Sequence, residues 1–387
     1  MSTKILVVDD EPDLKLLIQQ KFRRQIRDGS YDFVFAHNGV EALAQLDANP
    51  NVDLILSDIN MPEMDGLTLL TKLPVSPNQL KAVMVSAYGD LQNIRTAMNR
   101  GAFDFVTKPI DFADLEVTIQ KTVDELLKLR DGLKARSELL ALRRELEVAR
   151  QIQQSILPRD FGPKGPVGGC SIAASMHAAD EVGGDFYDFF MIDEDRLGVV
   201  VGDVAGKGVP AAIYMSLSRT LLRSTAQLGL GAGECLRHAN RALASEGDTG
   251  LFVTAVYVIV NTRTGAIEYS SGGHFPPFLV RAAGTVEEAP SAGGTVLGVV
   301  DDAEYEQGHA MLQPGDLMLL YSDGVTEAET HGHEFYGDER LALTLKGVAG
   351  ADERNAVTVL ADDVKKFADG YRQSDDITIV AVRRNPS

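Results

Sequence analysis

Residues 1–122 alternate between short apolar runs and amphipathic stretches, and no other feature limits the fold as strongly. Lys4–Val8, Asp32–Ala36, Val52–Ser57, Ala82–Ser86 and Phe103–Thr107 read as short buried strands. Helical stretches lie between them at Asp13–Arg27, Val40–Ala48, Gly66–Lys72 and Leu91–Arg100. Repeated strand–helix alternation demands crossover connections, so the sheet is expected to be parallel with helices on both faces. In such sheets ligands bind beyond the carboxyl ends of the strands. Asp9 and Asp10 follow strand one, Asp58 follows strand three, Ser86 ends strand four and Lys108 follows strand five. An acid pair, a lone Asp, a hydroxyl and a Lys therefore meet at one edge.

Five units fit a flavodoxin-like α/β domain. With Asp58-Ile59-Asn60-Met61-Pro62, Asp65-Gly66, Ser86-Ala87 and Lys108-Pro109, residues 1–122 resemble a response regulator receiver domain. The resemblance implies that Asp58 accepts a phosphoryl group from a sensor histidine kinase, with Asp9, Asp10 and Asp58 holding Mg2+. It further implies that Lys108 pairs with the phosphoryl oxygens, that Ser86 hydrogen-bonds one of them, and that Phe105 is the switch aromatic. A bound cation offsets the repulsion between an acidic pocket and an incoming phosphoryl dianion.

Residues 112–157 are long, charged and helical. Leu115, Ile119, Thr122, Leu126, Leu129 and Leu133 fall at alternating four- and three-residue steps, the rhythm of a coiled-coil seam. Leu142, Leu146, Ala149, Gln153 and Ile156 continue it in a shifted register, with the break near Gly132 and Arg136. A parallel homodimer stalk is the expected reading, against a single amphipathic helix packed on one domain. Phe161–Gly169, rich in Pro and Gly, should end the helix.

Within residues 158–387 the stretch Gly202-Asp203-Val204-Ala205-Gly206-Lys207-Gly208 follows a β-branched run, Leu197–Val201, and opens a helix at Val209-Pro210. It is not a P-loop: three residues rather than four precede Gly206-Lys207, and Gly208 stands where Ser or Thr is needed. Other acids recur at strand ends: Asp185 and Asp188 in Gly183–Asp188, Asp323 after Leu317–Tyr321, and Asp375 and Asp376 before Ile377–Val382. Converging carboxylates stay ionised together only around a cation, and an all-oxygen set selects Mg2+ or Mn2+ over zinc. His274, His331 and His333 are expected to be structural or exposed rather than ligands.

Ala149–Pro158, Glu181–Asp188, Gly202–Gly208, Ser271–Pro277, Ser322–Glu327 and Ser374–Thr378 resemble, in order and spacing, the PPM family of metal-dependent protein phosphatases. The branch is the bacterial stage II sporulation E and RsbU type. The resemblance implies an α+β four-layer (αββα) sandwich and two Mn2+ or Mg2+ ions sharing an activated water. Asp203 would bridge them, with the Val204 carbonyl at one of them; Asp185, Asp323 and Asp375 are the other acidic ligands, and Asp376 an auxiliary. No counterpart of the phosphate-gripping Arg of eukaryotic relatives is evident. The implied substrate is a phosphoserine or phosphothreonine protein, a STAS-domain anti-sigma-factor antagonist, with any kinase a separate chain. The competing reading is a non-catalytic adaptor that binds a sigma factor or directs its proteolysis, which retention of the four Asp ligands disfavours.

At 387 residues and 44% hydrophobic content, the chain can bury two ordinary cores. Its formal charge of −19 disfavours nucleic acid and anionic membranes as partners. No apolar run spans a bilayer, Met1–Asp10 lacks a signal-peptide pattern, and only Cys170 and Cys235 are present, so a cytoplasmic location is expected.

Overall fold

The computed structural model describes residues 2–73, 80–87, 90–158, 169–245 and 250–386. The chain divides into two compact units, Met1–Leu142 and Arg143–Ser387. Among the described residues no helix is long and apolar enough to cross a membrane.

The first unit runs β1 (Thr3–Val8), α1 (Pro12–Lys21), α2 (Arg23–Arg27), β2 (Tyr31–Ala36), α3 (Gly39–Ala48), β3 (Leu54–Asp58), α4 (Gly66–Lys72), β4 (Lys81–Ala87), α5 (Leu91–Asn99) and β5 (Asp104–Lys108). All five strands pair in parallel in the order β2-β1-β3-β4-β5. Side chains alternate between two cores: Ile5 and Val7 face one, Leu6 and Val8 the other. The helix expected over Asp13–Arg27 is two, because Phe22 leaves helical geometry and buries its ring beside Tyr31 and Phe33. Asn38 and Asp65 start α3 and α4 by accepting the backbone N–H three residues on.

Helix α6 (Phe112–Ile156) is continuous through Gly132. Its first half corrects the expected seam. Leu115 and Ile119 join the receiver core, and Thr122 and Leu126 are buried as well. Fully burying one such aliphatic side chain is worth roughly 1.5–3 kcal/mol, so the receiver core claims Leu115 and Ile119 before any partner helix. Exposed apolar positions begin further on, at Leu133, Leu139, Leu140, Leu142, Val148 and Ile152. The Pro- and Gly-rich stretch lies, except for Gly169, outside the described residues.

The second unit adds β6 (Cys170–His177), β7 (Phe186–Met191), β8 (Arg196–Val204), α7 (Gly208–Ala226), α8 (Ala232–Ser245), β9 (Val253–Asn261), β10 (Ala266–Gly272), β11 (Phe278–Val280), β12 (Val286–Glu288), β13 (Gly308–Met311), β14 (Leu317–Tyr321), α9 (Asp323–Thr326), α10 (Gly337–Gly347), α11 (Glu353–Ala368) and β15 (Ile377–Arg384). Two antiparallel sheets, β13-β10-β9-β8-β7 and β12-β11-β14-β15-β6, enclose a core of Val200, Tyr257, Met318, Leu320 and Val380 among others. Helices α7 and α8 cover the first sheet, and α10 and α11 the second, giving the four layers. Val199, Val200 and Val201 are buried on both faces of β8, which is why the run preceding Gly202 is continuously apolar.

Candidate active sites

Parallel pairing brings the carboxyl ends of β1, β3, β4 and β5 to one edge of the receiver sheet. Carboxylate oxygens of Asp9, Asp10 and Asp58 lie within 4.8 Å of one another, a cluster that suits a hard divalent cation such as Mg2+. Lys108 Nζ reaches Asp58 Oδ2 at 2.7 Å, Glu11 Oε1 at 2.9 Å and Asp9 Oδ2 at 3.1 Å. Burial works to lower the Lys108 ammonium, but its hydrogen bonds to Asp58, Glu11 and Asp9 win and hold it well above the usual lysine range. Burial is also the main reason the Asp9 carboxyl is raised, with the Glu11 N–H and Lys108 opposing it. The Ser86 hydroxyl is fully buried and has no hydrogen-bond partner among the described residues, while Phe105 is 37% exposed.

In the second unit, Asp203 lies at the end of β8, Asp185 just before β7, Asp323 at the start of α9 and Asp375 just before β15. Asp185 is buried, and its Oδ2 accepts from Ser322 Oγ and Thr378 Oγ1, both at 2.6 Å. Its Oδ1 is buried and receives no hydrogen bond from a donor among the described residues, and the same holds for Asp323 Oδ1. Burial, then the charge of Asp203, pushes the Asp185 carboxyl far above the carboxylate range. Burial, then Asp323, Asp375 and Asp376, pushes Asp203 up to about 7. Burial, Asp375 and Glu327 raise Asp323, with Lys207 opposing. The four carboxylates therefore share one field, which the ammonium of Lys207 offsets only in part.

Asp376 spends its two oxygens on backbone N–H groups, Oδ1 on Ala179 at 2.8 Å and Oδ2 on Asp185 at 3.2 Å. Asp188 lies buried between Arg219 and Arg223, at 3.0 and 2.7 Å, and fastens α7 to β7. Lys207 pairs with Asp375 at 3.3 Å and also donates to the Ser374 carbonyl. His274 hydrogen-bonds the Thr254 hydroxyl at 2.9 Å and the Tyr321 carbonyl at 3.0 Å. Burial holds this imidazole down to about 4, against the Tyr321 hydrogen bond, so it is neutral and ties the strand opposite Asp203 to the one leading into Asp323. A cleft of about 810 Å³ opens beside Asp375, lined by His177, Gly324, Glu329, Lys365, Tyr371 and Arg372.

Residues 5–120 match the response regulator receiver domain model, and residues 193–385 match that of stage II sporulation protein E (SpoIIE). The phosphoserine phosphatase RsbU of Bacillus subtilis is 30% identical over 244 residues, covering 63% of this chain and 71% of RsbU. The chain belongs to the SpoIIE family. Protein IcfG of Synechocystis sp. is 32% identical over 270 residues, but these are 63% of this chain and 42% of IcfG, so the chain spans less than half of that relative. The SiaA-PP2C domain of Pseudomonas aeruginosa superposes with a TM-score of 0.57 at 23% identity, covering 64% of this chain and 98% of that domain. That likeness shows the PP2C-type sandwich fold.

In this receiver-bearing SpoIIE-family chain, the structure places Asp9, Asp10 and Asp58 together at one site and brings Asp185, Asp203, Asp323 and Asp375 into mutual electrostatic range at the other, all of them acids that sequence motifs single out. Those motifs did not reveal Glu11 on Lys108, nor that Ser322 and Thr378 converge on one oxygen of Asp185, 137 and 193 residues away. Both hydroxyls lie inside the Ser322–Glu327 and Ser374–Thr378 stretches that carry the family resemblance.

Proposed function

We propose that this chain is a two-component response regulator whose output is metal-dependent dephosphorylation of phosphoserine or phosphothreonine on a protein. The observation that carries the reading is the pair of buried oxygens, Asp185 Oδ1 and Asp323 Oδ1, that no donor among the described residues reaches, together with an Asp203 carboxyl raised to about 7. Buried carboxylates without partners are costly, and a divalent cation removes that cost. Asp203, the Val204 carbonyl, Asp185, Asp323 and Asp375 would hold two Mn2+ or Mg2+ ions, which supply an activated water and screen phosphoryl charge. Ser322 and Thr378 fix the Asp185 carboxylate so that its free oxygen faces one direction only. Asp376 organises the Gly183–Asp185 turn rather than acting as a ligand. Lys207 is a cation in ion-pair reach of Asp375, and the cleft beside Asp375 takes the substrate's chain.

Residues 1–122 serve as the receiver, 112–157 as the linker and 158–387 as the phosphatase. Asp58 takes phosphoryl from a sensor histidine kinase with Mg2+ at Asp9, Asp10 and Asp58; Lys108 and the unpartnered Ser86 hydroxyl receive the phosphoryl oxygens, and Phe105 turns inward. The exposed apolar positions from Leu133 to Ile152 support a homodimer through α6, whose geometry carries the state of Asp58 to the phosphatase. Similarity to the phosphoserine phosphatase RsbU supports a phosphoserine protein as substrate, and the family resemblance implies a STAS-type anti-sigma-factor antagonist. The test is phosphate release from such a phosphoprotein with Mn2+, with chelator, and in Asp203→Ala. Release should need the metal and vanish in the variant; full turnover in chelator would sink the proposal.

A further inference from the structure

The last turns of α6 do more than continue an amphipathic pattern. Gln153 is buried, and its side-chain amide engages both backbone groups of Gly183: Nε2 donates to the carbonyl at 2.7 Å and Oε1 accepts from the N–H at 3.2 Å. The side chain thus does what a neighbouring strand would do. Leu157, four residues on, sinks into the core with Ile156 packed against it, which fixes the end of the helix.

On its other side Gly183 has no space. A Cβ there would come within 1.9 Å of Asp376 Oδ2, the same oxygen that accepts from the Asp185 N–H. At Gly184 a Cβ would stand 2.7 Å from the Val204 carbonyl oxygen and 3.1 Å from Asp203 Oδ1. The Gly183–Asp185 turn is wedged between Gln153 and Asp376 and touches Asp203 and Val204 on the way. Close-packed interiors transmit displacement instead of absorbing it. Moving α6 therefore moves Gly183 unless two buried hydrogen bonds break.

We infer that Gln153 is a positioning residue whose amide sets the divalent-cation affinity of the Asp185–Asp203 site from the end of α6. The inference rests on the metal-dependent reading proposed above. A purely structural amide would contribute stability alone; this one sets where a ligand carboxylate stands, and partners of metal ligands typically change affinity by about 10–100-fold.

The test uses the full chain in an Asp10→Ala background, which removes the receiver's own cation site. Mn2+ binding is measured calorimetrically, and amide exchange at 183–185 is followed in chelator. Gln153→Met keeps length and packing but loses both hydrogen bonds. It should raise the Mn2+ Kd at least about tenfold and speed exchange at Gly183 and Asp185. Gln153→Glu, which keeps the acceptor alone, serves if the Met variant does not fold and should also raise the Kd. Gln154→Ala, on the exposed side of the same turn, should match the parent. A wild-type Kd in a folded Gln153→Met or Gln153→Glu overturns the inference. No Mn2+ binding by the Asp10→Ala parent overturns the metal-dependent reading itself, a distinguishable result.

Discussion

Replacing Asp203 by Asn should stabilise the metal-free phosphatase unit at pH 8 while removing its response to Mn2+. Burial and three neighbouring carboxylates push the Asp203 carboxyl from 3.8 to about 7. That difference sets a ceiling of about 4 kcal/mol against its ionised form. Because Asp185 and Asp323 share the proton uptake, about half of it, roughly 2 kcal/mol, is expected for one substitution. The sign follows from proton binding. The folded state keeps its proton where the unfolded chain has released it, so stability falls as pH rises from about 4 to about 7 and is level above. Asn carries no such penalty. In chelator the Asn variant should equal wild type near pH 4 and melt roughly 4–8 °C higher at pH 8. With Mn2+ at a hundredfold excess over Kd, wild type should gain about 2.7 kcal/mol and Asp203→Asn little. Scanning calorimetry at the two pH values reads both effects. If Asp203→Asn is less stable than wild type in chelator at pH 8, the account of a site short of positive charge is wrong.

Three further outcomes follow from the same geometry. A beryllofluoride or small phosphodonor should modify the receiver only with Mg2+, and Asp58→Asn should abolish modification by mass spectrometry; an adduct that persists would place the acceptor elsewhere. Ser322→Ala or Thr378→Val removes one donor from the buried Asp185 and should cost about 1–3 kcal/mol in the chelated protein, read by denaturant titration. Leu133→Gln and Leu142→Gln change exposed positions and should shift stability by less than about 0.5 kcal/mol. They should nonetheless weaken self-association in ultracentrifugation, and a wild-type monomer at every concentration would remove the dimer from the proposal.

Much of the architecture is legible because short-range rules dominate it. Period-two and period-3.6 patterns mark β1 to β5 and the helices between them, and parallel pairing then forces Asp9, Asp10, Asp58, Ser86 and Lys108 to one edge. The phosphatase acids are legible as motifs because each follows or precedes a strongly apolar strand. Where sequence pattern misled, long-range competition was the cause. Leu115 and Ile119 have a coiled-coil rhythm, yet the receiver core in the same chain buries them first. Asp188, expected at a strand end, lies inside the strand Phe186–Met191, because its charge is matched by Arg219 and Arg223 from a helix more than thirty residues away.

The amino-acid sequence by itself determined the two folds, their order and the identity of the acids, since these depend on local periodicity and on residue types. Only tertiary structure decided which oxygens are satisfied and which are not. Ser322 and Thr378 meet at Asp185 Oδ2 and leave Oδ1 bare; Asp376 turns to the backbone; Gln153 grips Gly183. Hydrogen-bond geometry is fixed to a few tenths of an ångström by packing across the whole unit, and no spacing along the chain encodes it.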